Sequence, residues 1–289
     1  MENNIINSSF IKTNYHTHSL WCDGKSSVEE MIKAAIEQNI KILGFSSHSI
    51  FPFAGDYHLP VQNHQAYCEE VRSLAKKYSK QIKVYCGFES DFIPHLSAPK
   101  FEQYKNLKAD FLIGSVHYVT NPNGEGYFEA DGNPIEQFEA IKKYFKGNKK
   151  LAVQSYFASQ REMLRHGNFT FLGHPDLIKI RNKTNHLFNE NDLWYKKELK
   201  ALAKEAKKAG ICAEINTGGL ARGTIDCFYP SPYLLEAFHN EKVPVTAASD
   251  AHSADKVGFL LEEACMYAKK AGYTEVMFYT DGSLKSQKI

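Results

Sequence analysis

Long apolar runs are missing from this 289-residue chain. No uninterrupted stretch approaches the roughly 20 residues that a helix needs to cross a bilayer, so no membrane partner is expected. The opening MENNIINSSFIKTNYHTH has no basic segment leading into an apolar one and does not read as a secretory signal. Cysteines are few and unpaired. The six, Cys22, Cys68, Cys86, Cys212, Cys227 and Cys265, form no CxxC motif. That argues against a thiolate zinc site and a disulfide framework, and the expectation is reduced thiols in a cytoplasmic protein. An excess of charge of either sign is absent too: 35 Lys and Arg oppose 33 Asp and Glu, for a net +2. No basic face builds up for a nucleic acid, so that partner class is not expected. With no tract of Pro, Gly or Ser to mark a linker, the sequence reads as a single domain over 1–289.

What the chain does have is 43% apolar residues, ample for a large core, arranged in short runs that recur. Seven of these runs end in a polar residue able to bind a metal. The endings are NYHTHS (14–19), GFSSHS (44–49), CGFESD (86–91), GSVHY (114–118), LGHPD (172–176), AEINTGG (213–219) and ASDAH (248–252). The runs predict fully buried parallel strands at 11–15, 40–45, 83–88, 111–116, 169–172, 211–215 and 243–247.

Helical patterns lie between them, at 62–80, 135–145, 152–166, 192–209, 231–240 and 255–271. A further helix opens on a capping box, Ser27 with Glu30, and runs towards Gln38; Gly210 marks a helix stop. Alternation of this kind specifies an α/β fold with a parallel sheet, and seven units favour closure into a TIM-like barrel with its chemistry at the carboxyl ends of the strands. A last strand at 275–279 either seals the barrel or lies outside it. The irregular stretches 49–63, 119–133 and 218–230 are long for connectors and read as lids or substrate loops.

The spacing of the polar residues is selective. His16 and His18 are two apart on an extended segment, so their imidazoles project from one side of it. Asp250 and His252 repeat the geometry on the last strand, which neighbours the first in a closed barrel. Asp23 follows in a short turn, and His48, Glu89, His117 and His174 come from strand ends between. Mixed His, Asp and Glu donors without thiolates suit Zn²⁺, Mn²⁺ or Fe²⁺. Nine donors are too many for one ion and fit two or three divalent metal ions, with Glu89 as a bridging carboxylate. His58, His64, His95, His166, His186 and His239 read as ordinary core or surface residues.

These motifs, in this order, resemble those of the polymerase and histidinol phosphatase (PHP) superfamily, and more narrowly its monofunctional histidinol-phosphatases. The likeness runs from Asn14 to His252 and includes YHTHSLWCDGKSSVEEM, GHPDLIKI and AEINTGGLARG. The resemblance implies a distorted (β/α)7 barrel with a trinuclear site. One ion would take His16, His18, Glu89 and Asp250; a second Asp23, His48 and His252; the third Glu89, His117 and His174. In some members the Asp23 position is His. The implied activity is hydrolysis of L-histidinol phosphate to L-histidinol and phosphate in histidine biosynthesis. Another small phosphate ester or a nucleotide is the alternative substrate, and a non-catalytic metal-binding module the alternative role.

For that reaction the expectation is direct attack of a metal-bridging hydroxide on phosphorus, without a phosphoenzyme. Asp250, a neighbouring imidazole such as His252, or water would protonate the departing alkoxide. Arg222, in GGLARG, is expected to orient the phosphate, because its planar fork matches phosphate oxygens. The resemblance suggests Arg161 as a second such residue. One or both of Asn216 and Glu214 on the sixth strand, and His48, are expected as further substrate contacts. Histidinol phosphate carries an ammonium and an imidazole, so an acidic or aromatic wall is expected from Asp56, Tyr57 or the 51–53 loop.

Overall fold

Each of the seven apolar runs forms a strand in the computed structural model, which describes residues 10–50 and 55–289. In chain order the strands are β1 (Thr13–Asn14), β2 (Ile42–Ser49), β3 (Lys83–Asp91), β4 (Phe111–Ser115), β5 (Tyr118–Thr120) and β6 (Tyr127–Glu129). They continue with β7 (Phe171–Leu172), β8 (Cys212–Asn216), β9 (Val245–Ala248), β10 (Glu275–Thr280) and β11 (Ser283–Lys288). Seven of them make one parallel sheet in the order β1-β2-β3-β4-β7-β8-β9.

The two edges of that sheet meet only at the carboxyl end, through a parallel bridge between Thr17 and Ala251, where the His18 N–H donates to the Ala251 carbonyl at 2.9 Å. Asn14 reinforces the seam: its Nδ2 donates to Ser249 Oγ (2.6 Å) and to the Val257 carbonyl (2.8 Å). The result is a nearly closed, distorted barrel.

β2 and β3 run further than the sequence suggests, to Ser49 and Asp91, and pair in register with His48 opposite Glu89. The apolar pattern stops short of these polar ends. They are strand because all of 46–49 and 89–91 is buried in the barrel mouth, where the ladder satisfies the backbone.

Helices cover the outside. Ser27 and Glu30 form the expected reciprocal box at the start of Val28–Glu37: the Glu30 N–H donates to Ser27 Oγ (3.3 Å) and the Ser27 N–H to Glu30 Oε2 (2.7 Å). Gly210 ends Leu193–Ala209 with φ 66°. The stretch 255–271 is not one helix; a turn at Ala254–Lys256 is followed by Leu260 at φ 51°, and the helix is only Leu261–Lys270. Apolar spacing alone does not register such a left-handed break. Among the described residues no helix is long and apolar enough to cross a membrane.

At the end away from the ligands, Tyr15, Phe111, Ile113 and Phe171 fill the barrel, and β10–β11 packs Phe278 and Tyr279 beneath them. This last strand therefore lies outside the sheet, in an antiparallel hairpin, and plugs the barrel instead of sealing it. Tyr15 donates to the Tyr279 carbonyl at 2.7 Å and accepts from its N–H at 2.8 Å. Gly44 and Gly87 make room for the Phe111 ring; a Cβ on either would stand 2.7 Å from it. The stretch 119–133 contains the β5–β6 hairpin, and 218–230 begins with the short helix Gly218–Ala221.

Candidate metal centre

All nine predicted donors gather at the barrel mouth. His16 and His18 leave β1 on an extended segment, His48 and Glu89 face one another on β2 and β3, and His117, His174, Asp250 and His252 follow the ends of β4, β7 and β9. Asp23 returns to the rim because Gly24 packs on the Ser19 backbone, where a Cβ would stand 2.5 Å away. Asp250 sits at φ 50°, a conformation that costs energy and is often kept at functional sites.

Glu89 is the hub. Its Oε2 lies 2.9 Å from His48 Nδ1, 3.1 Å from His16 Nε2 and 3.6 Å from His18 Nε2. Its Oε1 lies 2.9 Å from His174 Nε2 and 3.6 Å from His117 Nε2, and accepts from Ser115 Oγ at 2.6 Å. Asp250 Oδ1 stands 3.3 Å from His18 Nε2 and 3.5 Å from His16 Nε2. Asp23 spans His252 Nε2 (3.2 Å) and His48 Nε2 (3.7 Å).

Four of these atoms, His16 Nε2, His18 Nε2, His48 Nδ1 and Glu89 Oε2, are buried and make no hydrogen bond despite their closeness. A lone unpaired polar atom costs about 1–3 kcal/mol, so four converging on one point make the arrangement that a bound cation would satisfy. The donors fit divalent ions on their chemistry as well as their aim. The groupings overlap: His18 with Asp23, His48 and His252; His16 with His18 and Asp250; His16 with Glu89 and His174; His48 with Glu89 and His117. The set Asp23, His48 and His252 thus gains His18, while Glu89 draws His117 and His174 into different groups.

Burial opposes charge on His16, Asp23, His48, Glu89, His117 and Asp250, yet each is pulled the other way. The Glu214, Glu89 and Asp250 carboxylates outweigh burial for His16 and raise its pKa well above the usual value; Asp91 and Glu89 do the same for His117. Glu89 is held well below the carboxylate range by His16, His48 and His117. Arg222 and His16 hold Asp250 low in the same way. His18 is the exception: burial, then the neighbouring His252 and His48, lower it to about 3, leaving a neutral ring with its lone pair available.

A cavity of about 350 Å³ opens over the cluster, floored by His48, His117, His174, Asp250 and His252. Arg222 forms part of its wall, with Nη2 3.0 Å from Asp250 Oδ2. Tyr57 lines it too, whereas Asp56 is exposed and outside it, and the 51–53 loop lies outside the described residues.

Arg161 does not reach this cavity. It faces the helix Leu193–Ala209 and pairs with Glu198 at 2.7 Å, because the helix carrying it packs there. Asn216 and Glu214 do not line the cavity either. Both are fully buried; Glu214 holds His16 Nδ1 at 2.9 Å, and Asn216 donates to Glu214 (3.2 Å) and accepts from the Gly218 N–H (2.9 Å).

Three cavity residues went unrecognised in the sequence: Arg181, Glu129 and Asp131. Arg181 follows His174 closely in GHPDLIKIR, which was the available signal, and it anchors the hairpin loop through the Gly132 carbonyl at 2.7 Å. The two acids sit in and after β6, which the sequence showed only as an irregular stretch.

A PHP domain model matches residues 14–218. The chain belongs to the PHP family. This PHP domain is 27% identical over 266 residues to a Deinococcus radiodurans protein named "Probable histidinol-phosphatase", covering 91% of this chain and 95% of the relative. A Schizosaccharomyces pombe protein of the same name is 24% identical over 290 residues, 94% of this chain and 90% of the relative. The fold matches the crystal structure of a Lactococcus lactis histidinol phosphate phosphatase complexed with zinc, L-histidinol and phosphate. That match has TM-score 0.73 and 22% identity, over 95% of this chain and 98% of the other.

Proposed function

We propose that this PHP domain is a metal-dependent phosphomonoesterase that hydrolyses L-histidinol phosphate to L-histidinol and phosphate. The observation that carries the reading is the convergence of nine His, Asp and Glu donors, Glu89 among them, directly beneath a cavity with Arg222 in its wall. The curated relatives that span nearly the whole chain carry the same activity in their names. Divalent ions held by His16, His18, Asp23, His48, Glu89, His117, His174, Asp250 and His252 would neutralise phosphoryl charge and acidify water.

The remaining work belongs to side chains. Arg222 presents a fork to the phosphate from a position braced by Asp250. Arg222 and His16 favour the ionised form of Asp250 against burial, which makes a neighbouring imidazole or water the favoured source of the proton for the leaving alkoxide. Glu129 and Asp131 line the cavity, and Tyr57 adds an aromatic face. An acidic, aromatic wall suits a small cationic phosphate ester better than a polyanionic nucleotide. Six free thiols fit a cytoplasmic enzyme.

The test is phosphate release from L-histidinol phosphate by the purified chain with zinc, manganese or iron. Turnover in preference to nucleoside monophosphates is expected; no release with any of the three metals would sink the proposal.

A further inference from the structure

Two buried groups beside the ligand cluster are used neither as donors nor as cavity wall. Asp91 ends β3 two residues beyond Glu89 and is 1% exposed, while His58, in the loop after β2, is 3% exposed. Asp91 Oδ2 lies 2.7 Å from His58 Nε2, and Asp91 Oδ1 lies 2.7 Å from His117 Nδ1 and accepts the His117 N–H at 3.3 Å.

These contacts fix where the protons sit. The Gly55 N–H donates to His58 Nδ1 at 3.1 Å, so that nitrogen holds a lone pair and the ring proton is on Nε2, aimed at Asp91. Asp91, a carboxylate, can only accept, so the His117 proton is on Nδ1. Nε2 is then the nitrogen turned towards Glu89 Oε1, 3.6 Å away, and the one that an ion would take in place of a proton. His58 also stacks on Tyr57, with ring centres 4.1 Å apart, and the Tyr57 ring stands 5.0 Å from His48 at the cavity wall.

We propose that Asp91 and His58 are positioning residues that hold His117 in its metal-binding tautomer and couple that state to the placement of Tyr57 over the substrate cavity. If the 55–58 segment withdraws, Asp91 keeps only its His117 contacts and His117 is less firmly oriented; if an ion engages His117, the chain of hydrogen bonds draws Tyr57 into place. Such coupling is reciprocal by thermodynamic necessity. The inference rests on His117 being a ligand and not on the identity of the substrate.

The experiment titrates Zn²⁺ and Mn²⁺ into the full chain against a fluorescent chelator, with melting temperatures recorded with and without metal. Asp91→Asn is expected to loosen one ion by about 10–100-fold and leave the others unchanged, the usual effect of losing a carboxylate behind a ligating His. His58→Phe keeps the stacking and loses the donor; it should loosen the same ion at least about fivefold and raise KM. His58→Gln, which can still donate, should stay near the parent.

Unchanged metal affinities in Asp91→Asn overturn the proposal. So does a His58→Phe protein whose KM rises while every metal affinity holds, since that marks a packing role alone. Lower metal-free melting temperatures with intact affinities have the same meaning. A parent chain that takes up no ion overturns the ligand reading as well, which the variants alone would not.

Discussion

Glu89 has both carboxylate oxygens committed to imidazoles from four other strand ends, so its charge is the feature that the cluster can least do without. Glu89→Gln keeps the shape and removes that charge. Phosphatase activity is expected to fall at least about a thousandfold, ~4 kcal/mol in the barrier, together with metal content measured by elemental analysis. The acidic wall has a separate signature. Glu129→Gln with Asp131→Asn should raise KM for histidinol phosphate about tenfold, ~1.4 kcal/mol, and leave KM for p-nitrophenyl phosphate, which has no amine, unchanged. Equal losses on both substrates would assign these acids to the structure of the hairpin. At this scale the clustering of the nine donors was readable because their i, i+2 spacing and strand-end positions are local properties. The partners of Arg161 and Glu214, Glu198 and His16, were not readable because a side chain's partner across a helix or strand is not local.

Among the elements, the β10–β11 hairpin shows the division most clearly. Its alternating apolar residues announce a strand, but nothing local says that it stands outside the barrel with Tyr279 against Tyr15 and Phe111. Tyr279→Ala removes a nearly buried ring and the hydrogen bond that its hydroxyl donates to the Asp110 carbonyl, and is expected to cost about 3–5 kcal/mol of stability. Because the plug is at the far end of the barrel from the ligands, kcat at a temperature where the variant is folded should be unchanged. Denaturant unfolding and a steady-state assay check the two halves of that statement. The β5–β6 hairpin is the opposite case: its three-residue strands are too short to leave a period, so its acids escaped notice.

For the whole molecule, the balance of protons at the barrel mouth governs how stability follows pH. His16, His48 and His117 have raised pKa values in the folded chain, each against burial and because of nearby carboxylates. Their contribution is complete below the ordinary histidine value of about 6.5 and is lost as pH rises through the higher folded values. Glu89 and Asp250 are lowered, so theirs is present above the ordinary carboxylate values and lost as pH falls through the depressed ones. After chelation the melting temperature should therefore peak between those limits. Metal competes with the imidazole protons, so the rise in melting temperature on adding Zn²⁺ should grow from pH 6 to pH 8, with protons released on binding. Calorimetry at matched ionic strength tests both; a metal-induced shift independent of pH would count against the imidazoles as ligands.

By itself the sequence determined the alternation of strands and helices, the capping and stop signals, and which residue types end each strand, because all of these follow from local period and side-chain chemistry. It could also name the nine donors, since a parallel barrel sends every strand's carboxyl end to one place. Only the tertiary structure decided how those donors share Glu89, that Asp91, His58 and Glu214 stand behind them, and that Arg181, Glu129 and Asp131 wall the cavity. Those are distances between residues far apart in the chain, set when the two edges of the sheet are drawn together at Thr17 and Ala251 and the loops pack across the mouth.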